Sequence, residues 1–260
     1  MANKIKNNIL LVDIGNSSLK WCIADYNGLS AMSQQLYPKD IIVDFFINIW
    51  CVLEKPNGII VSCVAQDIVW QALEKACFEL WNIKVEKVKS PKKQHGLINA
   101  YENALSLGSD SWCAMLGGLQ QTNSAFIVIN AGSALTVDVV NEAGQHLGGY
   151  IVPGVNMMKQ SLGLHTAQVQ VDSTSNAMVD LSLGRSTEDC VESGIHLMVV
   201  KYLEAIYEKV ALDMNGCQTF VSGGDAISIA DLLSFNCDVV PDLVLRGLAV
   251  IATDNFNNKK

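Results

Sequence analysis

The sequence predicts a layered α/β fold built twice, and three observations carry that expectation. Apolar runs at residues 9–12, 59–64 and 83–88 read as strands, and Asp67–Trp81 between them has the apolar spacing of a helix. Alternation of this kind implies a sheet covered by helices. Next, the pattern of strand, small polar turn and second strand occurs at residues 9–24 and again at 126–140. Aligning Asp13 with Asn130 brings Gly15 onto Gly132, Asn16 onto Ser133 and Gly28 near Gly144, an offset of 117 residues in a chain of 260. Finally, hydrophobic residues make up 50% of the chain, enough to build the core of one large or two medium domains. The repeat sets the expected domains at 1–122 and 123–260.

Taken in order, residues 9–37 read as three strands joined by hairpin turns. Residues 39–53 place Ile42, Phe45, Phe46, Ile49 and Val52 at helical spacing, and Pro56-Asn57-Gly58 is a turn. Residues 90–99 are polar and read as a loop, with the lysines of 89–93 as solvated surface. Gly108 breaks the next pattern, and Asp110 is placed to cap a helix over 112–122. The second half opens with Phe126-Ile127-Val128-Ile129 and a turn at Asn130-Ala131-Gly132-Ser133-Ala134. A second strand then runs from Leu135 to Val140, with a hairpin turn at Glu142-Ala143-Gly144-Gln145, and a third leads into Gly148-Gly149 and Pro153-Gly154. A helix is expected over 155–162. Residues 163–183, with Asp172-Ser173-Thr174-Ser175-Asn176, are long for a structureless connection and read as a lid or binding loop. A long helix follows over 188–212, then a strand at 219–221 ending in Ser222-Gly223-Gly224-Asp225, and a final helix over 243–253.

Composition excludes several classes. A formal net charge of −8 argues against a nucleic acid held on a basic surface. Eight cysteines occur without a C-x-x-C pair, which argues against a zinc site and for free thiols. The start of the chain lacks the pattern of a signal peptide, and the longest apolar stretch, 41–53, is too short and polar to cross a membrane. A cytoplasmic protein is expected. P-loop, G-x-G-x-x-G and G-x-S-x-G motifs are all missing, and His95, His146, His165 and His196 share no metal-like spacing. His196, within an apolar helical stretch, reads as a packed residue.

What remains is polar chemistry in turns. Asp13 ends the first strand beside Gly15, Asn16, Ser17, Ser18 and Lys20. A carboxylate there suits hydrated Mg²⁺, which needs few protein oxygens, and Lys20 suits a phosphate. Asp110, besides its capping position, could accept a proton from a hydroxyl. Donors, a metal carboxylate and a base are the equipment of phosphoryl transfer from a nucleotide.

These residues resemble a known family. Asp13-x-Gly15-Asn16-Ser17, Gly108-x-Asp110, Gly132-Ser133-Ala134-x-Thr136-x-Asp138, Gly148-Gly149-x-x-x-Pro153-Gly154, Gly184-Arg185-x-Thr187, Ser222-Gly223-Gly224-Asp225 and the ending Leu243 to Leu248 look like type III pantothenate kinases, in family order. Some members carry the older name Bvg accessory factor. The resemblance implies a duplicated ribonuclease H-like fold of the acetate kinase/sugar kinase/Hsp70/actin superfamily, an actin-like ATPase fold. It implies a homodimer, ATP with Mg²⁺, a monovalent cation (K⁺ or NH₄⁺), and conversion of pantothenate to 4′-phosphopantothenate, the first step towards coenzyme A. Carried over, Asp13, Gly15, Asn16, Ser17, Ser18 and Lys20 form the phosphate and Mg²⁺ turn, and Gly132 and Ser133 contact ATP. Asp110 is the base. Tyr101, Gly108, Ser109, Asp110 and Ser111 meet pantothenate, with Thr187 reaching in from the partner subunit. Two positions depart from the family pattern. Ser111 stands where arginine is usual, removing a charged donor for the substrate. Asn130 stands where the aspartate associated with the monovalent cation is usual. The alternative they leave is a catalytically impaired nucleotide-binding or regulatory homologue.

Overall fold

The computed structural model describes residues 7–37, 43–165, 181–214 and 216–257. In chain order the first elements are β1 (Ile9–Ile14), β2 (Ser18–Asp25), β3 (Gly28–Leu29), β4 (Ser33–Leu36), α1 (Val43–Trp50), β5 (Gly58–Cys63), α2 (Asp67–Trp81), β6 (Glu86–Lys87), β7 (Lys93–Gln94), β8 (Leu97–Ile98) and α3 (Ser109–Leu119). Then come β9 (Phe126–Ala131), β10 (Ala134–Val140), β11 (His146–Pro153), α4 (Val155–His165), α5 (Thr187–Asp213), β12 (Gln218–Ser222), α6 (Ala226–Ala230), β13 (Asp238–Val239) and α7 (Leu243–Asn257). They form two compact units: residues through Gln121 with those from Asp242 on, and Thr122–Pro241.

In the first unit the sheet order is β3-β2-β1-β5-β6, with β4 also paired to β2. β1 runs antiparallel to β2 and parallel to β5. The central strands ILLVDI and GIIVSC are apolar almost throughout because both faces are covered. Leu10, Val12 and Ile14 of β1 join a core with Phe46 and Trp50 of α1 and Leu73, Ala76 and Trp81 of α2. Trp50 and Trp81 stack with ring centroids 6.2 Å apart. Strand alternation sends Ile9, Leu11 and Asp13 to the other face, where α3 and α7 pack against the sheet.

In the second unit the order is β11-β10-β9-β12-β13, with the same senses: β9 antiparallel to β10 and parallel to β12. The register repeats as well. Asp13 stands opposite Lys20 and Ser62, and Asn130 stands opposite Thr136 and Ser222. The alignment of Asp13 with Asn130 therefore has a three-dimensional counterpart within each unit.

Several expectations change. The helix expected from Trp112 begins at Ser109, so Asp110 lies in its first turn and Gly108 is the cap residue. Ser, Asp and Ser are cap formers, which hid the first turn. The strand over 83–88 shrinks to β6, and the 90–99 loop contains the hairpin β7–β8, whose tight turn holds His95 at φ 50° and Gly96 at φ 89°. Where 123–260 was expected to form the second domain, α7 instead belongs with the first unit, packed on α3. Of the helix expected over 39–53, Val43–Trp50 is helical, and residues 39–42 lie outside the described residues. The 163–183 connection, with Asp172 to Asn176, lies largely outside them too: residues 166–180 are not described.

Candidate active site

Asp13 is the last polar residue of β1 on the face that meets α3. Its neighbour across the ladder, Ser62, is wholly buried. The Ser62 hydroxyl donates to the Asp13 carboxylate, and Ser62 Oγ lies 3.1 Å from Ser109 Oγ at the start of α3. With Ser62 donating to the carboxylate, Ser109 donates to Ser62. The chain Ser109–Ser62–Asp13 thus ties the helix N-terminus to the strand end. Asp13 Oδ1 is sealed from solvent and has no hydrogen-bond partner among the described residues. Burial is the main force that pushes the Asp13 carboxyl from 3.8 up to about 7, and the nearby Asp110 charge adds to it. Lys20 and the Ser62 hydroxyl pull it back. Cys113, one turn further along α3, is buried, and burial beside both carboxylates holds its thiol well above the usual range.

Gly108 explains how Asp110 is aimed. A Cβ there would stand 2.4 Å from Asp110 Oδ1, so only glycine lets the carboxylate fold back over the turn. Oδ1 also accepts from Ser111 N at 2.9 Å. Two buried polar side chains brace the segment leading into α3. Ser90 Oγ donates to the carbonyls of Leu107 (2.9 Å) and Gly108 (3.2 Å). Asn99 donates to Ala104 O and accepts from Tyr101 N at 3.0 Å, holding Tyr101 half-buried above the loop.

The turn after β1 closes through Gly15 N to Ser18 O at 3.0 Å, leaving Asn16 and Ser17 exposed. Tyr37 clamps it from outside: its hydroxyl donates to Gly15 O and its N–H to Ser17 O. Burial, with Cys63 and Asp13 nearby, pushes the Tyr37 phenol up to about 12, so it keeps its proton. Lys20 is buried beside Asp13 in the ladder.

The residues present fit a divalent cation at Asp13. A buried carboxylate oxygen without a donor, under the field of a second carboxylate, is an acceptor made for a positive charge. Mg²⁺ takes one or two carboxylates and completes its shell with water and phosphate oxygens. Among the described residues no group of three or more His, Cys, Asp or Glu side chains could hold a metal by itself.

The matching turn of the second unit, residues 131–134, is closed by motif residues far away in sequence. Gly132 N donates to Ala134 O at 3.1 Å. A Cβ on Gly154 would stand 2.0 Å from Gly132 O, and one on Gly223 (φ +105°) 2.1 Å from Ala131 O. Both glycines are present because backbone meets backbone. Asn130 and Ser133 are half-buried at this turn. Nearby polar side chains lie in pairs: His146 Nε2 is 3.2 Å from Asp138 Oδ1, and Lys159 Nζ is 2.5 Å from Glu192. His196 Nδ1 lies 2.9 Å from Glu192 O, a packed histidine as expected. Burial raises the Asp225 carboxyl, offset by His196 and Lys159. Thr187 is exposed at the start of α5, where Ser186 Oγ caps the helix by accepting from Asp189 N at 3.1 Å. Thr187 lines an open hollow of about 780 Å³ with Arg185, Cys190 and Leu162.

A sequence profile described as Type III pantothenate kinase matches residues 9–209. The chain belongs to that family. A relative of that name from Nitrosococcus oceani is 33% identical over 252 residues, covering 95% of this chain and 94% of its own. Another from Marinobacter nauticus is 32% identical over 248 residues, covering 94% and 98%. Among solved structures, a Baf family protein of Campylobacter jejuni superposes with a TM-score of 0.60 at 20% identity, covering 95% of this chain and 99% of that one. MreB 5 of Spiroplasma citri, bound to AMPPNP, gives 0.53 at 10% identity, covering 97% and 99%. These likenesses show the fold, two ribonuclease H-like halves of the actin-like ATPase type.

Within the first unit the fold of this pantothenate kinase family member gathers Asp13, Lys20, Ser109 and Asp110 at one end of the sheet, with Gly15 to Ser18 and Gly108 in the flanking turns. Asn130, Gly132, Ser133 and Thr187 belong to the second unit. Sequence reasoning missed Ser62, Ser90, Asn99 and Tyr37. One signal for Ser62 was available: it is the lone hydroxyl in an otherwise apolar buried strand, a place where an unpartnered polar group is costly.

Proposed function

We propose that the chain transfers the terminal phosphoryl group of ATP to the primary hydroxyl of pantothenate, giving 4′-phosphopantothenate on the way to coenzyme A. The observation that carries this reading is the buried, donor-less Oδ1 of Asp13 beside Asp110, at the strand-end position where α/β sheets bind ligands. The names of the relatives supply the substrate.

The hydroxyl oxygen bonds to the terminal phosphorus as the bond from that phosphorus to the bridging oxygen breaks, and ADP departs. Asp110 takes the hydroxyl proton, its carboxylate oriented by Ser111 N–H. Lys20, the exposed Asn16 and Ser17 and the half-buried Ser18 bind phosphate oxygens, while Tyr37 keeps their turn closed. Gly132 and Ser133 contact ATP in the same reading. Mg²⁺, held by Asp13, would neutralise charge on the phosphates. Tyr101, Gly108, Ser109 and Ser111 hold pantothenate, with Thr187 supplied by a second copy. The exposed apolar residues Leu162, Leu197 and Met198 on α4 and α5 support a homodimer through that face. Asn130 would be a weak ligand for K⁺ or NH₄⁺, because an amide oxygen carries no net charge. No described helix is long and apolar enough to cross a membrane, in keeping with a cytoplasmic reaction.

A coupled assay of ADP release with ATP, Mg²⁺ and pantothenate tests this reading. Turnover is expected in wild type, with weak stimulation by K⁺, and a loss of about 10²-fold or more in Asp110→Asn. Nucleotide binding without turnover in wild type would favour the impaired homologue that Ser111 and Asn130 suggest.

A further inference from the structure

Two motifs of the second unit end against the turn at residues 131–134. Gly154, the residue before α4, donates its N–H to Ser133 O at 3.0 Å, and Met158 N in the first turn of α4 donates to Gly154 O at 3.0 Å. A Cβ on Gly154 would stand 2.7 Å from Ser133 O as well as 2.0 Å from Gly132 O. The other motif, Ser222-Gly223-Gly224-Asp225, reaches the same turn through Asp225 N, which donates to Ala131 O at 3.0 Å. Backbone lies on backbone at both contacts, so the turn follows the positions of α4 and of the chain entering α6.

One cluster of charged side chains joins these two supports. Lys159 of α4 is 5% exposed and places Nζ 2.5 Å from Glu192 Oε2 on α5. The second carboxylate oxygen, Oε1, lies 3.4 Å from His196 Nδ1, one turn further along α5. Asp225 feels the cluster: burial raises its carboxyl, His196 and Lys159 draw it back, and Glu192 opposes them. A largely buried ion pair does little more for stability than an apolar pair of the same volume. What it adds is direction. The bond holds Lys159, and α4 with it, at one place along α5, and it keeps a cation facing Asp225.

We propose that Lys159 and Glu192 are positioning residues for the nucleotide: their ion pair fixes α4 and the Asp225 segment against residues 131–134 and so sets Gly132 and Ser133 for ATP. They act through the two backbone contacts. The proposal rests on the reading that Gly132 and Ser133 meet ATP.

Calorimetry of AMPPNP with Mg²⁺ tests this in wild type, Lys159→Gln and the paired Lys159→Met/Glu192→Leu, with pantothenate titrated alongside and melting temperature recorded. Nucleotide is expected to bind about tenfold more weakly to both variants, with pantothenate binding unchanged. Lys159→Gln should melt lower, since Glu192 loses its cation, and the paired variant should melt near wild type. A pair that served stability alone would give back nucleotide affinity together with melting temperature. That result, or nucleotide affinity within about twofold of wild type in a folded variant, overturns the proposal. Lys159→Gln decides it if the paired variant does not fold. Turnover separates the two readings. Wild type that binds AMPPNP and forms no phosphopantothenate sinks the kinase reading, while weaker nucleotide binding in the variants leaves the positioning role standing.

Discussion

Asp13 shows how one residue trades stability for chemistry. Its carboxyl ordinarily titrates at 3.8, and in the fold, chiefly through burial, at about 7. Between those values the folded chain keeps a proton that the unfolded chain gives up. The stability this contributes is complete below pH 3.8, falls as pH rises to about 7, and is gone above it. Without Mg²⁺, Asp13→Asn should therefore melt above wild type near pH 8, and the gap should close towards about pH 4. A gap independent of pH would mean that the carboxylate is not under this strain. The neutral variant is more stable and has lost the ligand, the exchange expected of a site built for function. Ser62 limits the cost: by donating to the carboxylate it favours the charged form that a cation needs.

At the scale of elements, α3 depends on α7. A Cβ on Gly247 would stand 1.8 Å from Cys113 O, and one on Gly117 2.3 Å from Leu243 O, so the two helices touch backbone to backbone. Gly247→Ala must push α7 away from α3, and about 3 kcal/mol of destabilisation is expected, read by urea unfolding. A loss within about 0.5 kcal/mol would show that the contact is slack. This crossing was invisible in the sequence, since a glycine in a helical pattern announces neither its partner nor the distance. The sheet strands were legible because burial on both faces leaves an apolar run, as in Ile9–Ile14 and Gly58–Cys63. Asp13, Lys20 and Asp110 were legible because polar groups at strand and helix ends have few structural duties. The start of α3 was misplaced because Ser109-Asp110-Ser111 has the composition of a cap while forming a first turn. Ser90 and Asn99 were missed because their work is to satisfy backbone groups of a distant loop, which no local pattern encodes.

Across the whole chain, the same turn occurs twice and is equipped differently. In the first unit Asp13 stands between Lys20 and Ser62. In the second Asn130 stands between Thr136 and Ser222, with no ionisable group among the three. The duplicated fold supplies two cradles, and the charge lies in one of them. The central claim is thus that a phosphoryl group is transferred at the Asp13 end of the first sheet. Mass spectrometry of the products of ATP, Mg²⁺ and pantothenate tests it most directly, with wild type beside an Asp13→Ala variant whose fold is checked by circular dichroism. The account predicts 4′-phosphopantothenate from wild type and about 10³-fold less, or none, from a folded Asp13→Ala, since a metal carboxylate is worth several kcal/mol to the transition state. Phosphopantothenate formed by folded Asp13→Ala at the wild-type rate would contradict it.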